Sequence, residues 1–542
     1  MGLTDRDLWL TFNGEIHNYV ELRRELEAQG AEFRTETDTE VVLHAYAEWG
    51  ADCFEHFNGM WALGLWDGRR RRLVLSRDRF GIKPLCYSVR RERICFASEP
   101  KAILAAFPEE RAPDEEEIAR FLNGHPPDTG EATFFANIRN LPADSYAVVS
   151  PDGIERRSYW RFAPGDEAPK PDVEERVREL LRDAVRLRMR SDVPVGACLS
   201  GGIDSSSIAA LVDVPRGRTM HCFSLRYEGW RDDESGYSQL AADARPGLFQ
   251  MHWVRPVPDG LLDTMGKIVW HHDAPTPIRG RYAHWFVMEE VARHVKVCLD
   301  GGGGDEIFAG YSHFVFPYVV DRLLRRAPAT PGTTLLREFS DLGRIESRSR
   351  LWFLARTPLQ PARRALGLPP SSAGRVLSRE FTGGRSVGPD KRERPYSSRL
   401  NNALWHEFRR EGLPEVLHGD DALSMAFSVE ARAPFLDHRL VELCFALPSS
   451  DKISGGWTKS VLRRALADVV PAEILARRRK LGFSAPVGTW LLRDDNWRDA
   501  RELLLDRRTI DRGIYAARRL ERALTLFRNG PSIYRATRVD RV

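Results

Sequence analysis

The chain has 542 residues, which is too long for one hydrophobic core, so we expect two large domains or three smaller ones. Hydrophobic residues make up 42% of the chain and charged residues 29%, a balance that excludes a disordered or fibrous protein. The net charge of +4, from 81 basic and 77 acidic residues, gives no support to a nucleic-acid or membrane partner.

Cysteine usage and the absence of targeting segments indicate the compartment. Seven cysteines are scattered without a CxxC pair, which predicts free thiols in a reducing environment. The start of the chain is polar, and no stretch approaches the roughly 18 apolar residues of a membrane span. We therefore expect a cytoplasmic protein with small-molecule partners, and a homodimer stays open. Arginine runs at residues 69–72 and 477–479 are interpreted as solvated faces.

Residues 1–160 alternate short strand-like runs with turns, and two helical patterns interrupt them. The predicted strands are residues 9–12, 61–66, 73–76 and 94–97, and the predicted helices are residues 18–29 and 39–49. This pattern predicts an α+β domain. Residues 161–172 contain three prolines and one glycine and are predicted to form a linker.

Strands alternate with helices after the linker, as in a parallel sheet with crossover helices. The predicted helices are residues 173–190, 203–211 and 281–294, and the predicted strands are residues 193–199, 220–225 and 295–299. From about residue 310 the pattern is mostly helical, and residues 369–394 are predicted to form a mobile loop. We expect residues 173–542 to form an α/β domain with a parallel sheet and a largely helical C-terminal part.

A loop rich in glycine and serine, SGGIDSSS at residues 200–207, joins a predicted strand to a predicted helix. Glycines let the backbone approach an anion closely, and the amides and dipole of a helix start attract it. Asp204 adds a carboxylate that suits a bridging Mg²⁺. The loop has no GxxxxGK[ST] lysine and no GxGxxG fingerprint. It indicates a pyrophosphate leaving group and attack at the α-phosphate of ATP, and a purely structural strand–helix turn is the alternative.

A second glycine-rich loop supports the first. Four consecutive glycines, residues 301–304, follow a predicted strand and precede Asp305 and Glu306. Two carboxylates at a helix start are consistent with simple capping. Beside an ATP site we favour Asp305 as a metal ligand and Glu306 as a general base or substrate orienter.

The two loops, together with segments 424–426, 429–439, 455–459 and 480–486, resemble the asparagine synthetase family over nearly the whole chain. The resemblance implies that a carboxylate, aspartate in the name-giving enzyme, attacks the α-phosphate of Mg-ATP. Pyrophosphate then leaves and ammonia attacks the acyl-adenylate. By resemblance the metal ligands are Asp204 and Asp305, and Lys459 steadies charge on the α-phosphate. The implied ATP contacts are Leu199, Ser200, Gly201, Gly202, Asp204, Ser205, Ser206, Leu225, Asp300 and Gly301.

Motifs at residues 13–18, 37–40 and 77–85 resemble the glutaminase domain of this family, which has a class II amidotransferase, Ntn-type fold. The resemblance implies that Asn13, Gly14 and Glu15 bind glutamine and its oxyanion. It also implies that Asp38 holds the α-amino group of glutamine.

The start of the chain departs from the family pattern. The glutaminase nucleophile is an N-terminal cysteine, whereas residue 2 is Gly2 and no HRGPD-like segment precedes Asn13. We therefore expect no glutamine hydrolysis by the chain as numbered. We favour a longer protein whose start lies upstream of Met1. The alternative is a degenerate domain in a protein that uses free ammonia or another amine.

The substrate loop departs as well. The SGEGSDE segment of the family is DGGGGDE here, so Asp300 replaces a serine and Gly302 replaces a glutamate that bears on forming the aspartyl-adenylate. Ala422 replaces an arginine that many relatives carry. These changes keep adenylation but put aspartate in question as the substrate.

Two further groups of residues are candidates. Gly302, Glu430, Arg432 and Asp437 are predicted to shape the substrate pocket, and buried ion pairs are the alternative for the three charged residues. The segment HHD at residues 271–273 would suit a metal, although we favour a structural or substrate-shaping role.

The leading hypothesis is an asparagine-synthetase-type ligase. It uses ATP and Mg²⁺ to adenylate a carboxylate, by default aspartate, and amidates it with ammonia that the full-length family derives from glutamine. The alternative is a specialised relative that amidates or cyclises another carboxylate in a peptide, antibiotic or polysaccharide pathway. A second alternative is an inactive, truncated binding protein.

Overall fold

The computed structural model describes residues 1–90, 93–127, 129–160, 162, 171–230, 233–324, 376–382, 393–478, 482 and 484–529. Most of the predicted linker at 161–172 and of the predicted loop at 369–394 lies outside the described residues. Within the described ranges, no helix is both long enough and apolar enough to cross a membrane.

The N-terminal part contains a six-stranded sheet of order β1-β2-β3-β4-β8-β9 and a three-stranded sheet of order β6-β5-β7, and all of their pairings are antiparallel. The strands are β1 (Gly2–Leu3), β2 (Leu8–Ile16), β3 (Gly59–Asp67), β4 (Arg72–Arg77), β5 (Cys86–Arg90), β6 (Arg93–Ala97), β7 (Arg139–Asn140), β8 (Ser145–Ser150) and β9 (Gly153–Ser158). The helices are Tyr19–Ala28, Asp38–Trp49, Cys53–His56, Pro100–Ala106 and Glu115–Leu122, with short 3₁₀ turns at Gly50–Asp52 and Pro108–Glu110.

Local chemistry sets the bounds of the helix Asp38–Trp49. Thr37 caps its start, because its side chain accepts a hydrogen bond from the backbone N–H of Glu40. Gly50 ends it with φ of 60°, a conformation that favours glycine. The helix buries Val41, Val42 and Tyr46 in the same core as β2 and β3. The predicted α+β arrangement is confirmed.

The C-terminal part is built on a five-stranded sheet of order β12-β11-β10-β13-β14 in which every pairing is parallel. Its strands are β10 (Val195–Cys198), β11 (Met220–Leu225), β12 (Phe249–Val254), β13 (Val297–Leu299) and β14 (Glu430–Arg432). The predicted parallel sheet is confirmed. The region after residue 310, which is predicted to be mostly helical, contributes the three-residue edge strand β14 to this sheet.

Helices precede, connect and follow these strands. The helices up to residue 324 are Val173–Arg188, Ile203–Leu211, Ser235–Asp243, Leu261–His272, Ile278–Ala292, Gly304–Phe308 and Val315–Leu324. The later helices are Arg379–Thr382, Arg399–His406, Leu413–Met425, His438–Phe445, Ser449–Lys452, Ser460–Ala465, Ala472–Leu475, Val487–Trp490, Asp494–Leu505, Arg507–Ile510 and Ala517–Asn529. The segment Glu407–Glu411 forms a turn of π-helix, and Ser312–Phe314 and Pro434–Leu436 form 3₁₀ turns. The predicted helical C-terminal part is thereby confirmed.

Buried polar contacts join the two parts. The Lys83 ammonium lies 2.9 Å from the Asp421 carboxylate, and both side chains are buried. Asn58 donates to Asp437 at 2.8 Å, and the Trp160 indole N–H donates a hydrogen bond to Glu442 at 2.8 Å. Because each contact pairs residues from both parts, the interface depends on specific partners rather than on apolar area alone.

Substitution of Lys83 by Met tests this interface. The variant leaves the Asp421 carboxylate buried without its cation, so we expect it to lower the free energy of unfolding by roughly 3–5 kcal/mol. Chemical denaturation, monitored by tryptophan fluorescence, gives the change. Arg93→Met is the matched control, because it breaks an exposed pair with Glu109 and should change stability little. If the two variants were equally stable, the Lys83–Asp421 pair would not stabilise the interface as we expect.

Candidate active site

A cavity of about 260 Å³ opens where β10 and β13 end. The loop after β10 and the loop after β13 both line it. Within the sheet, β11 pairs with one edge of β10 and β13 pairs with its other edge, so the strand order reverses direction at β10. Ligands of open parallel sheets bind at such a switch point, beyond the carboxyl ends of the strands.

The loop at residues 200–206 turns directly into the helix Ile203–Leu211. Ser205 Oγ accepts a hydrogen bond from the backbone N–H of Ser200 at 3.1 Å. Gly201 has φ of 69°, and a Cβ there would lie 2.4 Å from the backbone nitrogen of Ser238. Only glycine therefore fits this turn, and the first amides of the helix face the cavity end of the sheet, where they can bind an anion.

Lys459 joins the two loops through two aspartates. Its Nζ lies 2.5 Å from both carboxylate oxygens of Asp204 and 2.6 Å from Asp305 Oδ1. All three side chains are less than a tenth exposed. Lys459 has φ of 53°, which is unfavourable for a residue with a side chain. Its backbone N–H donates to Phe308 O at 3.2 Å, so the surrounding chain holds this conformation.

Two glycines leave room for this cluster. A Cβ on Gly310 would lie 1.8 Å from Asp305 Oδ1 and 2.2 Å from Lys459 Cε. A Cβ on Gly304 would lie 2.7 Å from Asp204 Oδ1. The side chains of Asp204, Asp305 and Lys459 thus occupy the volume that larger residues would need.

Three arginines add positive charge to the cavity wall: Arg463, Arg477 and Arg478. Arg477 pairs with Glu234, and its guanidinium lies over the ring of Tyr237 at 4.4 Å. Burial lowers the pKa of Arg463 to about 10, so it stays charged at neutral pH. The interpretation of residues 477–479 as a solvated face is wrong for Arg477, whose side chain is only 10% exposed.

The lining of the cavity also includes acidic side chains outside the Lys459 cluster. Burial and the neighbouring Asp420 raise the pKa of Asp300 to about 7. Burial also favours the neutral form of Asp420, but contacts with His284 and Arg281 outweigh it and lower the pKa of Asp420. Arg281 Nη1 lies 2.8 Å and His284 Nδ1 lies 3.2 Å from the same Asp420 oxygen. The sequence analysis did not identify Asp420, Arg281 and His284 as site residues, because none of them lies in one of the motif segments.

Asp300 lies where a side chain on residue 302 would lie. Asp300 Oδ1 accepts a hydrogen bond from the backbone N–H of Gly302 at 2.7 Å. A Cβ on Gly302 would be 2.9 Å from that same oxygen. The carboxylate of Asp300 and a side chain on residue 302 therefore exclude each other in this arrangement.

Most of the predicted synthetase residues line the cavity. They are Ser200, Gly202, Asp204, Ser205, Asp300, Gly301, Gly302, Asp305, Glu306 and Lys459. Glu306 is buried and accepts a hydrogen bond from the Tyr311 hydroxyl at 2.7 Å. Leu199, Gly201, Ser206 and Leu225 are in or beside the first loop and the end of β11 but are not among the described lining residues.

The structure places Glu430, Arg432 and Asp437 in ion pairs, outside the described wall of the cavity. Arg432 Nε lies 2.6 Å from Glu430, and Arg432 Nη2 lies 3.3 Å from Glu15 in the N-terminal part. Asp437 is fully buried and is held by Arg188 and Arg439. Their role in a substrate pocket stays a prediction.

The four predicted glutamine-binding residues lie in β2 and at the start of the helix Asp38–Trp49. Asn13 Nδ2 donates to Ser98 Oγ at 3.1 Å, and Asp38 accepts a hydrogen bond from the backbone N–H of Ile16 at 2.9 Å. Burial raises the pKa of Asp38, and it raises that of Glu15 to about 7. The four residues therefore form one neighbourhood, with Asn13, Gly14 and Glu15 successive in one strand.

Asp273 makes a contact between the two parts, whereas His272 packs within the C-terminal part. Asp273 accepts hydrogen bonds from the backbone N–H of Lys101 at 3.0 Å and from its ammonium at 3.2 Å. The ring of His272 stacks on His418, with centroids 4.2 Å apart. These contacts agree with the structural role that we favoured.

Comparison with known proteins adds independent findings. The family model described as "Asparagine synthase" matches residues 176–538, and the one described as "Glutamine amidotransferase domain" matches residues 1–160. The chain is 31% identical to "Asparagine synthetase [glutamine-hydrolyzing] 1" of Bacillus subtilis, over 91% of this chain and 78% of the relative. It is 32% identical to a putative asparagine synthetase of Mycobacterium bovis, over 89% and 75%. It is 28% identical to "Amidase chry2" of Gibberella zeae, over 88% and 77%.

The raised pKa of Asp300 gives a pH-dependent prediction. The folded chain favours protonated Asp300, so the stability that this group contributes is complete below about pH 4 and is lost as pH rises to about 7. Asp300→Asn removes this titration, so the melting temperature of the variant should rise relative to wild type between pH 5 and 8. Differential scanning fluorimetry measures the gap, and the exposed Asp152→Asn is the control. If the difference in melting temperature between the variant and wild type did not change with pH, Asp300 would not be buried in its neutral form.

Proposed function

The chain belongs to the asparagine synthase family, a family of ATP-dependent amidation ligases, and we propose that its own reaction proceeds through an acyl-adenylate. In this proposal a substrate carboxylate oxygen bonds to the α-phosphorus of ATP as the bond to pyrophosphate breaks. Ammonia then bonds to the acyl carbon, a proton leaves the nitrogen, and AMP departs. Aspartate is the default carboxylate.

The cluster of Lys459, Asp204 and Asp305 is the observation that carries this proposal. The cluster joins the two glycine-rich loops at the carboxyl ends of parallel strands. One carboxylate from each loop lies within 2.6 Å of the Lys459 ammonium. The first loop offers helix amides but no lysine of the γ-phosphate-binding type, which suits pyrophosphate as a leaving group. Arg463 and Arg477 add cations that can compensate the charge of a polyphosphate.

The residues also fit Mg²⁺. Asp204 and Asp305 are two buried carboxylates that face one point, where the Lys459 ammonium lies. Such oxygen donors are the ligands that Mg²⁺ prefers, usually together with substrate phosphates and water. An ion bound to these carboxylates beside the ammonium would neutralise charge on the phosphates of ATP. In the proposal Lys459 holds the aspartates in place and faces the α-phosphate.

We further propose that Asp300 supplies the carboxylate that the family carries at position 302. Gly302 lacks a side chain, and Asp300 Oδ1 lies 2.9 Å from the point where its Cβ would be. A carboxylate on residue 300 enters the cavity from a different backbone position than a carboxylate on residue 302, so its direction and its distance from a substrate differ. This observation favours a second candidate, a ligase for a carboxylate other than aspartate, and the relative named an amidase is consistent with it.

For the N-terminal part, we propose that Asn13, Gly14, Glu15 and Asp38 bind glutamine as the nitrogen source. The match to the amidotransferase family and the clustering of these residues on one strand and one helix start support this. Asp38 offers a half-buried carboxylate to an α-ammonium group.

Asp204→Asn tests the adenylation step. The amide keeps the shape of the side chain but removes one of the two anions, so pyrophosphate–ATP exchange with the accepted carboxylate should fall by roughly 100-fold or more. Asp213→Asn, just after the same helix and exposed, should keep the exchange rate. Wild-type exchange in Asp204→Asn, or no exchange by wild type with any carboxylate tested, would refute the proposed chemistry.

The double variant Asp300→Ser/Gly302→Glu tests the substrate. It restores the residues of the family at both positions and removes the clash between them. We expect its exchange rate with aspartate to rise at least about tenfold relative to wild type, as expected for about 1.4 kcal/mol of transition-state stabilisation. The panel should include glutamate, β-alanine derivatives and peptide carboxylates. If wild type already prefers aspartate and the double variant loses that activity, Asp300 does not play the proposed role.

A further inference from the structure

Three histidines from three separate elements meet on one face of the parallel sheet. His221 lies in β11, His252 lies in β12, and His294 follows the helix Ile278–Ala292. In the register of the two strands, His221 is opposite Gln250 and Phe223 is opposite His252. Residues two positions apart share a face of a strand, so His221 and His252 are diagonal neighbours.

The imidazole rings contact one another. His221 Nδ1 lies 2.8 Å from His252 Nε2, and the centroid of His294 lies 4.0 Å from that of His252 and 5.2 Å from that of His221. One ring nitrogen from each residue falls within 4.8 Å of the other two. The ring of Phe223 stacks on His252 at 5.0 Å and supports the cluster from one side.

A carboxylate accompanies the rings. Glu290 Oε1 lies 3.0 Å from His294 Nε2 and 3.9 Å from His252 Nδ1. In protein metal sites, the ring nitrogen that does not bind the ion usually donates its hydrogen to a carboxylate or carbonyl, which fixes the orientation of the ring. Glu290 is placed for this role towards two of the three histidines.

The electrostatics suit metal binding. Burial lowers the pKa of His252, and the neighbouring His294 and His221 lower it further. Burial and His294 likewise lower the pKa of His221. Neutral imidazole is the form that ligates metals, and the lowered pKa of each ring favours that form. A hydrogen bond between His221 and His252 explains only one contact, whereas one central cation explains the convergence of all three rings.

We propose that His221, His252 and His294 bind one divalent transition-metal ion of the zinc class, with Glu290 orienting two of the rings. Imidazole nitrogens favour Zn²⁺, Ni²⁺ or Cu²⁺ over Mg²⁺. A tetrahedral ion with metal–nitrogen bonds of about 2.0–2.1 Å needs ring nitrogens roughly 3.4 Å apart, which small rotations of the rings provide. The cluster is only partly buried, so the ion can enter from solvent, and water would supply the fourth ligand.

This site is separate from the proposed catalytic centre. His294 lies just before β13, and His221 is the second residue of β11, so the cluster is towards the amino ends of these strands. The catalytic loops follow the carboxyl ends of β10 and β13. A metal ion here would tie the end of the helix Ile278–Ala292 to the edge strand β12 and its neighbour, and would stabilise this side of the sheet.

Metal titration of the full chain, freed of any affinity tag and stripped with chelator, tests the proposal. Co²⁺ should give the visible absorption of a tetrahedral nitrogen-bound ion, with about one equivalent bound, and Zn²⁺ should abolish that absorption. Saturating Zn²⁺ should also raise the melting temperature of wild type. The double variant His252→Asn/His294→Asn should lose the absorption, one equivalent of Zn²⁺ and the stabilisation.

The controls separate this site from others on the chain. His56→Asn changes an exposed histidine in the N-terminal part and should bind as wild type does. Any Zn²⁺ held by Asp204 and Asp305 stays in all variants, so the difference in stoichiometry reports the histidines alone. Glu290→Gln keeps the three ligands and should weaken Zn²⁺ affinity roughly 10- to 100-fold while retaining the Co²⁺ absorption, which gives a second readout if the double variant fails to fold. Wild type without the Co²⁺ absorption, or variants that bind as many equivalents as wild type, would overturn the proposal.

Discussion

The shared ammonium of Lys459 is the interaction on which the catalytic half depends. Asp204 and Asp305 come from loops about 100 residues apart in the chain, and their buried carboxylates would repel each other in a medium of low dielectric constant. One cation between them turns repulsion into a link between the two loops. Removing one partner of a buried pair is costly because it leaves an uncompensated charge. The constraint extends to the backbone, because Lys459 is held at positive φ and Gly310 has no room for a side chain.

The edge strand β14 connects this centre to the N-terminal part. The backbone N–H of Asp300 donates to the carbonyl of Arg432 at 3.0 Å, so the loop that follows β13 is anchored on β14. The guanidinium of the same Arg432 lies 3.3 Å from Glu15, which follows Asn13 and Gly14 in β2. A single residue thus contacts both candidate sites. Since Glu15 has a pKa raised to about 7, the strength of this contact changes with protonation near neutral pH.

Elements that are specified by contiguous residues could be predicted from the sequence, whereas features formed by contacts between distant residues could not. The helix Ile203–Leu211 and the strand β11 have the predicted bounds, because glycine, serine and apolar patterning specify them locally. The strand β14 has three residues and forms only by pairing with β13, so no local period reveals it. Arg477 looked like part of a solvated run, and only tertiary packing against Tyr237 and Glu234 buries it. Among the described residues, the three histidines that could share one metal ion come from two strands and a turn, so no contiguous motif reveals them.

The charge distribution in the cavity explains why the departures at residues 300 and 302 matter. The lining includes Lys459 and three arginines, which suit polyphosphate, and it also includes Asp300 and Asp420. Arg281 and His284 stabilise the ionised form of Asp420 and lower its pKa. The repulsion between the two neighbouring carboxylates therefore raises the pKa of Asp300 instead. A substrate cation near Asp300 would favour its ionised form, whereas an uncharged group would leave it protonated and able to donate a hydrogen bond. In the proposed reaction, the protonation state of Asp300 therefore depends on the charge of the substrate group that lies beside it.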